Sequence, residues 1–88
     1  MAGKQSLIEF PCDFLIKIIG NNRASFEFEI TNIAKKHFPN TKDTAITTQL
    51  SQQGNYLSIS ITVFATDQAT LDALYQELTQ HPDIKMVL

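Results

Sequence analysis

Residues 56–64 alternate without interruption. Leu57, Ile59, Ile61 and Val63 point one way, and Tyr56, Ser58, Ser60, Thr62 and Phe64 point the other. A two-residue period is that of a β-strand. A strand that is aliphatic on one side and largely hydroxylated on the other belongs to a sheet with one buried face and one open face. The buried face needs a second layer to cover it, so the remaining segments have to supply helices.

Two segments do so. Phe26, Ile30, Ile33 and His37 recur at helical spacing over residues 23–37. Glu27 and Glu29 come early there, while Lys35, Lys36 and His37 come late, which complements the helix dipole. Asn22 is placed to cap this helix and Pro39 to stop it. Further on, Leu71, Leu74, Tyr75 and Leu78 form a second helical stripe, with Thr66 or Asp67 as its cap and His81-Pro82 as its stop. Three more strands are expected. Residues 14–19, rich in Ile and ended by Gly20, are apolar on nearly both sides and suit a central strand. Residues 44–52 suit an edge strand, joined by a Gln53-Gly54-Asn55 turn to the alternating one. Residues 84–88 form a terminal strand with Ile84, Met86 and Leu88 on one side.

The order is β-α-β-β-α-β, two interleaved βαβ units, which is the ferredoxin-like plan of the α+β class. It predicts a four-stranded antiparallel sheet of order 4-1-3-2 with both helices on one face. Phe26, Ile30, Ile33, Leu71, Leu74 and Leu78 would pack on Ile16, Ile18, Ile59 and Ile61. Of 88 residues, 1–8 read as a loose arm and 9–88 as a single domain.

Composition narrows the function. A net charge of −2, with Lys and Arg scattered, does not suit a domain built to grip a phosphate backbone. The single cysteine, Cys12, cannot form an internal disulfide. No segment reads as a signal peptide or a membrane span, so the expectation is a cytoplasmic protein with no membrane partner. His37 and His81 stand alone at helix ends, without Cys, Asp or Glu at ligand spacing, so no metal or other cofactor is expected. No catalytic constellation is visible.

Two places remain for binding. The turn Gly20-Asn21-Asn22-Arg23 opens the first helix, where free N–H groups and a guanidinium could meet an anion. Acylphosphatases of this fold cradle phosphate at this point, and the corresponding alternative is a small acyl-phosphate-processing enzyme. The open sheet face is the other place, expected to show Leu15, Lys17, Ile19, Tyr56, Ser58, Ser60, Thr62, Phe64, Lys85 and Val87. RNA-recognition motifs stack bases on the central strands of this face. Here the centre is hydroxylated and not aromatic, which leaves only weak RNA binding as an alternative. A protein partner, or self-association through this face or the edge strands, fits the mixture better than RNA, with a simply solvated face as the equal alternative.

Glu9-Phe10-Pro11, Phe14, Lys17 and Gly20, then His37 and Pro39, then Gly54-Asn55-Tyr56 with Ser58, Ser60, Ile61 and Thr62 form a longer pattern. It ends with Leu74-Tyr75, Glu77-Leu78 and Met86-Val87-Leu88. Over nearly the whole chain it resembles the YbeD family of small bacterial proteins. Gln53 departs from it, standing where a basic residue is expected. The resemblance implies an ACT-like fold, a module that senses amino acids, usually as a dimer. It also implies a non-catalytic regulatory or adaptor role, binding a protein partner or a small metabolite, with a link to lipoate metabolism through neighbouring genes. By position alone, the ACT ligand site would fall at Gly20.

Overall fold

The computed structural model describes residues 10–88; the arm expected over residues 1–8 lies outside them. The elements run β1 (Cys12–Asn21), α1 (Phe26–His37), a 3-10 turn (Asp43–Ala45), β2 (Ile46–Leu50), β3 (Tyr56–Ala65), α2 (Gln68–Thr79) and β4 (Ile84–Val87). The strands form one antiparallel sheet ordered β2-β3-β1-β4, which is 4-1-3-2 read from the other edge.

The period of two in β3 sorts its residues as expected. Leu57, Ile59, Ile61, Val63 and Ala65 are buried. They meet Ile16 and Ile18 of β1, Phe26, Ile30 and Ala34 of α1, and Leu71, Leu74 and Leu78 of α2 in one core. Burying an aliphatic or aromatic side chain of this size contributes about 1.5–3 kcal/mol, so this layer drives folding. Ile33 and Tyr75 pack at its margin. Asp67 caps α2, its carboxylate accepting the Thr70 N–H at 2.8 Å and the Thr70 hydroxyl at 2.8 Å.

Three boundaries and one register differ from the sequence reading, each for a physical reason. α1 starts at Phe26, not at residue 23, and Asn22 does not cap it. Asn22 instead extends the β1–β3 ladder: its N–H donates to the Asn55 carbonyl at 3.0 Å and its side-chain amide to the Gly54 carbonyl at 2.9 Å. β1 is longer than residues 14–19 because β3 pairs with it from Cys12 to Asn21. β2 is shorter than residues 44–52, since residues 43–45 wind into the 3-10 turn. In β4 the register slips between Ile19 and Gly20. Ile84 and Val87 therefore both face the core, while Met86 pairs with Ile19 on the open side. A β-bulge inserts one unpaired residue and so inverts the alternation beyond it. Val87 thus leaves the open face and Met86 joins it, while Lys85 is exposed at the bulge.

Gly20 sits where β1 passes between the Phe26 ring and the Asp83 carbonyl, and a Cβ there would overlap both. Gly20→Ala is expected to lower stability by about 1–3 kcal/mol, the cost of overpacking a closed site. The urea midpoint should fall without a change in slope.

Candidate interaction surface

The open face is built by β1 and β3 from the side away from the helices. Register places Leu15 beside Thr62, Lys17 beside Ser60, Ile19 beside Ser58 and Asn21 beside Tyr56. On the other flank of β3, Thr47 pairs with Ser60 and Gln49 with Ser58. The centre is therefore a patch of hydroxyls and one amide around the Lys17 stem. Large apolar groups surround it, with Leu15 61%, Phe64 57%, Met86 50% and Tyr56 45% exposed. Lys17, Tyr56 and Ser58 also line a shallow hollow of about 270 Å³ with Ile19, Gln49 and Leu50. Ser60 and Thr62 continue along β3 beyond it. Lys85 stands apart at the β4 bulge.

Gly20, Asn21, Asn22 and Arg23 do not join this group. They form a tie between α1, β4 and the hairpin. The Arg23 guanidinium donates from Nε to Asp83 Oδ2 at 2.6 Å, from Nη2 to Glu29 Oε1 at 2.7 Å and from Nη1 to the Ser25 hydroxyl at 2.7 Å. Ser25 donates onward to Glu29 Oε2 at 2.8 Å. Asn21 gives its backbone N–H to the Asp83 carbonyl at 2.9 Å and its side-chain amide to Oδ1 at 3.2 Å.

His81 completes the tie. The Asp83 N–H donates to its Nδ1 at 3.2 Å, and its Nε2 lies 2.8 Å from Glu29 Oε1. An imidazole that accepts at Nδ1 carries its proton on Nε2 and donates it to the carboxylate. The ring also meets Phe26 edge-on at 5.6 Å.

This geometry engages the guanidinium expected to meet an anion at the loop. The Arg23 guanidinium is held by two carboxylates, which would repel an anion. Glu29 is pulled down to about 2 by Arg23 first, then by His81 and Ser25. Asp83 is also held below the ordinary carboxylate range, by Asn21 and then Arg23. Ligand atoms of Glu29, His81 and Asp83 lie within 4.8 Å of one another, but Arg23 already supplies the positive charge between the two carboxylates. The acyl-phosphate reading loses its anchor.

The second histidine mirrors the first. His37 Nε2 lies 2.8 Å from Glu77 Oε1, and Lys36 Nζ lies 2.7 Å from Glu77 Oε2. His37 of α1 thus contacts a glutamate of α2, and His81, just after α2, contacts a glutamate of α1. The sequence places both at helix ends as dipole partners and gives no sign of these pairs, which join residues 40 and 52 positions apart.

Comparison with known proteins agrees with the architecture. The sequence model of a family described as "Protein of unknown function (DUF493)" matches residues 5–88. A UPF0250 protein of Nitrosomonas europaea is 42% identical, over 97% of this chain and 98% of its own. A UPF0250 protein of Leptothrix cholodnii is 44% identical over 97% and 93%. Among solved structures, the ACT domain from GTP pyrophosphokinase of Chlorobium tepidum superposes with a TM-score of 0.66 at 22% identity, over 86% of this chain and 84% of that one. Protein HP0495 from H. pylori superposes at 0.72 and 11% identity, over 99% and 91%. At these identities the likeness establishes a shared fold. No helix among the described residues is long and apolar enough to cross a membrane.

The tie has a pH signature. The ordinary value for Glu29 is 4.5 and its folded value about 2. Its contribution is therefore complete above the unfolded value and is lost as pH falls through the folded one. Glu29→Gln should be less stable than the parent at neutral pH. The gap should close progressively between pH 4.5 and about 2, as read by urea unfolding at a series of pH values. A constant gap across that window would show that the carboxylate charge plays no part.

Proposed function

The chain belongs to the DUF493 family, the YbeD family of the resemblance above, and from that premise we propose a non-catalytic regulatory or adaptor module that binds a protein partner through its open sheet face. The observation that carries this reading is the face itself. Leu15, Tyr56, Phe64 and Met86 stand exposed around a hydroxylated centre, on the side of the sheet away from α1 and α2. An apolar rim with hydrogen-bonding groups at its centre suits another protein surface better than it suits water.

The edges favour the same kind of partner. β4 is blunted by its bulge and by Lys85, two ordinary protections against unwanted strand pairing. β2, with the sequence Ile-Thr-Thr-Gln-Leu, carries no charge, no proline and no bulge. It borders the open face, so a partner could lie across the face and pair along this edge.

Other occupants of the face fit less well. The hollow of about 270 Å³ is smaller than the roughly 300–1,000 Å³ of ordinary small-molecule pockets, which disfavours a metabolite there. Base stacking needs aromatic rings near the centre of the strands, and Tyr56 and Phe64 lie at opposite ends of β3. A catalytic reading has no support from the Arg23 loop. The implied link to lipoate metabolism is a suggestion about which partner to try first.

The test uses affinity capture from the protein's own host, followed by titration of the purified partner. The parent should bind saturably. The double variant Leu15→Lys, Tyr56→Ser should lose at least tenfold in affinity while keeping its thermal midpoint, because both side chains are exposed. If the double variant binds as tightly as the parent, the open face is not the interface.

A further inference from the structure

β3 outruns its neighbour. It pairs with β1 through Ala65, but β2 begins opposite Ile61. From Thr62 to Ala65 the flank that β2 would cover has no strand of the described residues beside it. The chain turns away there because residues 43–45 are wound into a 3-10 turn, in which the Ala45 N–H goes to the Lys42 carbonyl at 2.9 Å. A cleft of about 600 Å³ opens between this segment, the end of β3 and the start of α2, within the size range of real ligand sites.

The backbone direction at this notch can be read from the ladder. The Ser51 N–H donates to the Tyr56 carbonyl at 2.9 Å, so Tyr56 directs its main-chain groups toward β2. β3 keeps a constant register with both neighbours, so alternate residues repeat this direction: Ser58, Ser60, Thr62 and Phe64. The main-chain N–H and C=O of Phe64 thus point to the side that β2 has vacated. They lie beyond Ser60, the last such residue with a β2 partner, Thr47.

The side chains around the notch are suited to a chain in extended form. Thr62 and Phe64 line it from β3, and the Phe64 ring is mostly exposed. The Thr41 hydroxyl, on the facing loop, is buried with no hydrogen-bond partner among the described residues, a condition that ordinarily calls for one. Asp13 and Lys42 contribute one charge of each sign, so the cleft has no net preference for a polyanion or a polycation. What remains is main-chain pairing, hydroxyl contacts and one aromatic anchor.

We infer that this cleft receives a short extended peptide segment of a partner protein, which takes the place β2 leaves open and pairs with β3 at Phe64. Strand addition of this kind draws affinity from main-chain hydrogen bonds and selectivity from alternate side chains. The site adjoins the open-face interface and shares Thr62 and Phe64 with it. Leu15 and Tyr56 do not line it, so the two readings can fail separately.

The experiment is an amide NMR titration of the full chain. The probe is an equimolar pool of acetylated, amidated tetrapeptides drawn from Val, Leu, Phe, Thr and Ser. Saturable shifts are expected at Phe64, Thr62 and Thr41, with slower hydrogen exchange at the Phe64 N–H. The same pool N-methylated at alternate residues should lose at least tenfold in affinity, since it cannot complete the ladder. Thr44→Arg and Thr66→Arg, both at exposed lining positions, should abolish the shifts while leaving the rest of the spectrum in place. The double variant Leu15→Lys, Tyr56→Ser should bind the pool like the parent. No shift at these residues, or equal binding of the N-methylated pool, would overturn the inference.

Discussion

Ten residue pairs, from Cys12 with Ala65 to Asn21 with Tyr56, join β1 to β3 at the centre of the sheet. The register of this ladder is the constraint on which the rest of the molecule depends. A slip of one residue in β1 would turn Ile16 and Ile18 to water and bring Lys17 under the helices, and the same slip in β3 would expose Ile59 and Ile61 and bury Ser58 and Ser60. Several kcal/mol of aliphatic burial oppose that slip. Because the register holds, the helix-side core and the open face are two views of one alternation. Any binding role of Lys17 or Ser60 is inherited from the positions of Ile18 and Ile59.

The helices are held in place by different means at the two ends of α1. At one end, Gly20 lets β1 pass close to Phe26 and to the chain at Asp83, and Arg23 then binds the carboxylates of α1 and the α2–β4 turn. At the other, Glu77 receives His37 and Lys36. Exposed ion pairs contribute little each, so these ties orient the helices more than they stabilise them. At the Arg23 end the two carboxylates take up the guanidinium of the loop.

The parts legible in the sequence are those encoded by local period. The strand β3, the Leu71, Leu74 and Leu78 stripe of α2, the core residues and the strand order all follow from spacing within a few residues. What escapes is set by pairing across the chain. Asn22 is a good cap by composition, but the hairpin offers it the Asn55 and Gly54 carbonyls and draws it into the ladder. The β4 bulge exchanges Met86 and Val87 between faces through a one-residue slip that a four-residue strand is too short to announce. Arg23 looks like a free cation in sequence because Asp83 lies 60 positions away.

The same division explains why one candidate surface is visible in the sequence and the other is not. The open face is the complement of an alternation, so its members follow from spacing alone, with Val87 and Met86 exchanged. The cleft beside Thr62 and Phe64 comes from a difference in length between two paired strands, ten residues against five. No residue of β3 marks the point where its neighbour ends. That point is set on the other strand, where Asp43, Thr44 and Ala45 adopt a tight turn in place of an extended line. A sheet whose central strand outlasts its edge strand leaves main-chain donors and acceptors that only an extended segment can satisfy along the ladder. Sites of this kind arise from relative strand lengths, and the residues to inspect for them are those opposite the missing pairs.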